Sequence, residues 1–438
     1  MIMQRLLLSA AALALSAGMA QAQYSDNKVK IGVLTDLSGT YSDLAGQGSV
    51  EAAKMAVEDF GGKVNGTPIE VVSADHQNKA DIASSIGRKW YENEGVDAIF
   101  DLVTTAAAVA VREVSREKGK IDINSGAAST VLTNAQCSAT GFHWTYDTYA
   151  LAVGTGTAVV KQGGDTWFFL TADYAFGQSL QAQTERVVKA NGGKILGAVK
   201  HPFPNSDFSS FLLQAQGSGA KIIGLANAGS DTINAIKQAK EFGITQSGQK
   251  LAGLLVFISD VHSLGLDTAQ GMQLTTGFYW DMDDGTRAFA KKFGARMNGK
   301  MPTMVQAGVY SSVTHYLKAV QAAKTDEGIK VADKMRELPI ADFFAKRVRD
   351  LLGGVCPAAF VAVDRDIARR EKCDHTLPQI GRRAVRIALT FGVGVAVSIF
   401  GLRLQFRDPG LQGGDLRLPC VFQHHAALSV LSARRRSK

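Results

Sequence analysis

Three stretches of the chain gather hydroxyl groups and backbone amides where a small anion would need them. They are Asp36-Leu37-Ser38-Gly39-Thr40-Tyr41, the pair Thr104-Thr105, and Ser125-Gly126-Ala127-Ala128-Ser129-Thr130. Each follows a short apolar run and leads towards a helical pattern. The first N–H groups of a helix have no partner within it, and its dipole favours negative charge, so such turns suit an anion. The same residues also serve as ordinary N-caps. Three of them on one sheet edge favour a shared site over three separate caps. Catalytic patterns are missing: His76, His143, His201, His262 and His315 form no H-x-x-x-H pair, and there is neither a G-x-S-x-G elbow nor a phosphate-binding loop. Gly46-Gln47-Gly48 and Gly154-Thr155-Gly156 lack the third glycine of a dinucleotide turn and read as helix-start packing. The chain is therefore expected to bind rather than catalyse, with no cofactor and no metal.

The elements that must position these turns are legible in the hydrophobic pattern. Residues 29–35, 69–74, 98–103, 166–171, 194–199, 221–226 and 254–258 read as buried strands. Between them lie helical spacings such as Ile82, Ile86 and Trp90, or Phe289, Phe293 and Met297. Alternating strands and helices imply parallel sheets covered on both faces, and more than 300 residues of this pattern are too many for one sheet. The expected fold is α/β, with two doubly wound α/β lobes. Ligands of such sheets bind beyond the carboxyl ends of the strands. Tyr41, Tyr149 and Tyr174 occupy loop positions there, Trp144, Tyr146 and Phe176 lie nearby, and Phe278-Tyr279-Trp280 forms a further aromatic cluster.

Composition divides the chain of 438 residues, which carries a net charge of +8. Residues 347–438 hold 14 Arg and 2 Lys against 6 Asp and 1 Glu, so the basic excess belongs to them and residues 1–346 are close to neutral. Nucleic acid is therefore not an expected partner of the main body. All Met, Tyr and Trp residues precede this boundary, and three of the four cysteines follow it. Cys137 is left alone in the body, where it is expected to form no bridge. At the other end, Arg5, the apolar stretch 6–19 and Ala20-Gln21-Ala22 form the pattern of a cleaved secretory signal over residues 1–22.

The string KIGVLTDLSGTYSDLAGQG, Thr104-Thr105 with NSGAAST, LTADYAFGQSL, Asp207-Phe208-Ser209 and AIKQAKEFG together resemble the Leu/Ile/Val-binding family of periplasmic substrate-binding proteins, the type I periplasmic binding proteins. The resemblance runs from Val29 to about Lys346. It implies two lobes joined by a hinge of three crossings, the second near Phe278-Tyr279-Trp280, with lobe 1 over 23–145 and 278–337, lobe 2 over 146–277 and 338–346, and an atypical basic tail over 347–438 that is not native to the fold. It further implies a monomeric periplasmic receptor that passes a small carboxylate, an amino acid or an aromatic acid, to the membrane permease of an ABC importer by cleft closure. A ligand-sensing regulatory receptor on the same fold is the alternative. Carried over, the carboxylate cradle falls on Thr104 or Thr105 and on Ala127, Ala128 and Ser129. The acidic residue that holds a ligand ammonium in amino-acid binders maps to Ser259-Asp260. A tyrosine that some relatives place before the helix at Thr232 is replaced by residues from Asn227 to Asp231. These departures favour a carboxylate without an ammonium group, such as an aromatic acid.

Overall fold

The run Val29–Thr35 sets Val29, Ile31, Val33 and Leu34 among Lys30, Gly32 and Thr35, and all seven residues are buried, as expected of a central parallel strand covered on both faces. The computed structural model describes residues 24–345 and the two-residue strand Ala359–Phe360. The stretch 1–22 expected to be a cleaved signal lies outside the described residues, as does the basic tail apart from that strand. In chain order the strands are β1 (Val29–Thr35), β2 (Lys63–Val64), β3 (Thr67–Asp75), β4 (Ala98–Asp101), β5 (Ile121–Asn124), β6 (Gly141–His143), β7 (Thr166–Ala172), β8 (Lys194–His201), β9 (Ile222–Ala226), β10 (Lys250–Gly253) and β11 (Ala359–Phe360).

They form two sheets, ordered β11-β6-β5-β4-β1-β3-β2 and β10-β9-β7-β8. All neighbours are parallel except β2 with β3. In the first sheet the winding direction reverses at β1, and in the second at β7. Parallel sheets of this kind open a crevice beyond the strand ends where the order reverses. The loops after β1 and β4 flank that point in lobe 1, and those after β7 and β9 flank it in lobe 2.

Lobe 1 is completed by the late helices Asp284–Arg296 and Met304–Ala323, the latter packed along Gly46–Asp59. Thr303 fixes the start of the longer helix: its Oγ1 accepts from Gln306 N at 3.3 Å and donates to Leu44 O at 2.6 Å. The chain crosses between lobes after β6 and near 276–280. Residues 338–346 were expected in lobe 2, but the described part packs on lobe 1. Phe343 stacks on Phe289 with centroids 4.3 Å apart, Phe344 stacks on Phe278, and Ser311 Oγ donates to Asp342 at 2.6 Å. Aromatic side chains that complete an apolar cluster hold this segment where the cluster is.

Two further expectations change. Residues 254–258 are not a strand: β10 ends at Gly253, and a helix begins at Ile258. Leu254, Leu255, Val256 and Phe257 are at most 3% exposed because they plug the base of the cleft and the hinge. Burial without ladder pairing produces the same apolar run as a strand. Cys137, expected to form no bridge, is disulfide-bonded. Among the described residues no helix is long and apolar enough to cross a membrane.

Candidate functional site

The loop after β1 is organised by one buried carboxylate. Asp36 accepts from the backbone N–H of Gly39 at 2.7 Å and of Tyr41 at 2.8 Å, and from Asn78 Nδ2 at 2.5 Å. Any side chain on Gly39 would collide with that carboxylate. Tyr41 is thereby aimed across the cleft, where its hydroxyl lies 2.6 Å from that of Tyr174 in the loop after β7. Burial pushes both phenols above their ordinary range, so both stay protonated. Phe203 stacks on both rings, at 5.3 Å from Tyr41 and 4.6 Å from Tyr174. Nearby, Gly229 (φ +60°) begins the helix after β9; a Cβ there would stand 2.4 Å from Thr40 O, and Ser230 N donates to that same oxygen. Only glycine allows the two backbones this approach.

The turns after β4 and β5 are built as a pair. Asp101 (φ +80°) and Leu102 (φ +53°) both hold left-handed backbone conformations, which cost non-glycine residues about 1–3 kcal/mol each. The twist lets Asp101 O accept from both Ser125 N and Gly126 N. Gly126 fits because a Cβ would meet Val103 Cα at 2.7 Å. The first crossing clamps the same turn: Tyr146 Oη donates to Gly126 O at 2.9 Å, Thr148 N donates to Ala128 O at 2.8 Å, and Thr145 Oγ1 donates to Ser125 O. Thr104 stands at the N-cap of the helix Thr105–Lys118, yet its side chain makes no capping bond. The hydroxyls of Thr104, Thr105 and Ser125 are all buried without a hydrogen-bond partner in the protein. Capping therefore does not account for them. Burial also pushes the Asp101 carboxyl up to about 6.

These loops enclose a pocket of about 240 Å³, counting the part open to solvent. Lobe 1 contributes Tyr41, Leu44, Val103, Thr105, Gly126 and Ala128, and the first crossing contributes Tyr146. Lobe 2 contributes Tyr174, Phe176, Ala228, Leu255 and Phe257. No charged side chain lines it.

Of the residues singled out in the sequence, Tyr41, Thr105, Ala128 and Tyr174 meet at this pocket. Thr104 is buried beside it, and Ala127 turns the other way, into the core around Leu34 and Leu102. Ser129 Oγ accepts from Val131 N and caps the turn Thr130–Thr133. Tyr149 is half-buried in the short helix Thr148–Leu151 and is not among the lining residues. Asn227 serves lobe 2 internally, bonded to His201 Nε2 at 3.1 Å and to Thr232 Oγ1 at 2.6 Å. Ser259 and Asp260 lie inside the helix Ile258–Leu264, where Asp260 accepts from Phe257 N at 3.0 Å. The place expected for an ammonium partner is thus a helix cap, and the chain before it presents Leu255 and Phe257 instead. The apolar run 254–258 carried that signal, but only as burial.

A family model described as periplasmic binding protein matches residues 28–366. The solved structure of a periplasmic binding protein from Burkholderia mallei is 58% identical, covering 74% of this chain and 86% of that one, with a TM-score of 0.72. A branched chain amino acid ABC transporter periplasmic ligand-binding protein from Burkholderia xenovorans LB400 is 43% identical, covering 72% and 84%, with a TM-score of 0.64. Among curated proteins, the Leu/Ile/Val-binding protein homolog 6 of Brucella melitensis is 26% identical over 275 residues, which is 61% of this chain and 68% of the relative.

Proposed function

The chain belongs to the periplasmic binding protein family, in its Leu/Ile/Val-binding group, and from that premise we propose that it is the extracytoplasmic receptor that hands a small aromatic carboxylate to the permease of an ABC importer. The family is one of transport receptors rather than of enzymes. The reading rests on one observation: a pocket between the lobes with a hydroxyl and a helix N-terminus on one side, aromatic and aliphatic side chains on the other, and no charge.

Thr105 Oγ1 and the first N–H groups of its helix would receive the carboxylate, with the unpartnered hydroxyl of Thr104 behind them. Charge-assisted hydrogen bonds of this kind contribute about 1.5–3 kcal/mol each. Tyr146, Phe176 and Phe257 would surround the ring. An α-ammonium group would find no carboxylate there and would be costly to desolvate. Capture would follow hinge closure about the crossings, which periplasmic binding proteins use generally. Residues 1–22 would direct export.

A branched-chain amino acid is the second reading, favoured by what the 43% identical relative is called. Calorimetry with benzoate, leucine and short amides separates the two. Benzoate binding with leucine inert is expected. Micromolar leucine binding with aromatic acids inert would overturn the first reading in favour of the second.

A further inference from the structure

A second cavity, of about 340 Å³ with its open part included, lies at the second crossing between lobes. Val256 and Leu274 form its lobe 2 wall, Trp280 and Met304 the opposite one, and no charged side chain lines it. Phe257 is the one residue that lines both this cavity and the cleft pocket. It sits where the irregular segment after β10 turns into the helix Ile258–Leu264, and its ring meets Tyr146 edge to face at 6.3 Å. One aromatic side chain therefore stands at the boundary between a carboxylate cradle and an apolar chamber.

We propose that the hinge cavity is a subsite for the apolar substituent of the cleft ligand, with Phe257 as a movable wall. The favoured substrate class is then an aromatic carboxylate with a hydrocarbon group opposite the carboxylate. This rests on the reading of the cleft as a carboxylate site. The cradle at Thr105 fixes the charged end in lobe 1, so the far end of the ring points towards Leu255 and Phe257 in lobe 2. An alkyl group that displaced the Phe257 ring would enter a chamber lined by Val256, Leu274 and Met304 without burying a charge.

Calorimetry with benzoate and 4-butylbenzoate on the wild type, Phe257→Ala and Val261→Trp tests this. Phe257→Ala should raise the preference for 4-butylbenzoate over benzoate at least tenfold. Val261 also lines the hinge cavity, so Val261→Trp, which fills it, should remove the preference and leave benzoate affinity within twofold. If Phe257→Ala does not fold, Phe257→Leu should give a smaller gain of the same sign. In the wild type, 4-butylbenzoate but not benzoate should shift an emission signal that vanishes in Trp280→Phe. Benzoate binding with an unchanged preference in the Phe257 variants and a silent Trp280 would overturn the subsite while leaving the carboxylate reading intact. Binding of neither acid would sink both.

Discussion

The hydroxyl of Tyr41, in lobe 1, lies 2.6 Å from the hydroxyl of Tyr174, in lobe 2, and Phe203 stacks on both rings. Each tyrosine follows the strand at which its own sheet reverses direction. The two switch points therefore face each other, and the contact closes one side of the pocket that Thr105 and Phe257 line. Under the proposed function, an interlobe hydrogen bond in this place would link ligand capture to lobe approach.

Tyr41→Phe and Tyr174→Phe should each weaken ligand binding severalfold, and the double variant should be little worse than either single one. The two hydroxyls are partners in one bond, contributing about 0.5–1.5 kcal/mol, so their losses should not add. A double-mutant cycle on benzoate affinity checks it. Fully additive losses would mean that the hydroxyls act separately.

Thr105→Val should lower benzoate affinity at least tenfold, and Thr104→Val clearly less. Only Thr105 lines the pocket, although both hydroxyls are buried without partners. Equal losses in calorimetry would show that the cradle is centred between them.

Asp260→Ala should cost about 1 kcal/mol of stability in urea unfolding while leaving ligand affinity within twofold. The carboxylate accepts from Phe257 N and works as a helix-start partner. Loss of binding in a folded variant would return Asp260 to the site.

The lobes and most strands were legible because continuous apolar runs mark strands buried on both faces, and hydroxyl-rich turns at their ends marked Thr105 and Tyr41. What sequence could not resolve was direction. Ala127 and Ala128 are chemically identical neighbours, yet one packs in the core and the other faces the pocket. Residues 254–258 looked like a strand because burial alone sets their composition. Phe257 escaped notice within that run for the same reason. Nor does a sequence pattern reveal that Asp101 holds a left-handed conformation to tie two turns together.

Arg112→Met should destabilise the fold by about 3–5 kcal/mol. Arg112 and Asp122 are completely buried and 2.8 Å apart, and the guanidinium also donates to Leu132 O at 2.7 Å and Phe142 O at 3.2 Å. Removing one partner strands a buried charge. Asp122 lies on β5, directly before the turn 125–129, so benzoate affinity should fall as well. Thermal and urea unfolding, with calorimetry on the folded fraction, measure both effects.

Asp231→Asn should become more favourable to stability as pH rises. Asp231 is buried in the first turn of the helix Gly229–Glu241, where Oδ1 accepts from Asn205 N at 3.1 Å and Oδ2 has no hydrogen-bond partner. Burial pushes its carboxyl up from 3.8 to about 7. A group whose folded value is raised gives its full stabilisation below the unfolded value and loses it as pH climbs through the folded one. Between about pH 4 and pH 7 the folded protein holds a proton that the unfolded chain has released, so this carboxyl makes stability fall with rising pH. Asparagine keeps the acceptor for Asn205 and has no charge to desolvate. Relative to wild type the variant should therefore be near neutral at pH 5 and gain on the order of 1–2 kcal/mol by pH 8, since one pKa unit corresponds to about 1.4 kcal/mol. His201, whose Nδ1 is 3.8 Å away, is itself held below its ordinary value mainly by burial. Unfolding curves of both proteins at pH 5, 6, 7 and 8 measure the difference, and a constant offset across that range would mean that Asp231 is ionised throughout.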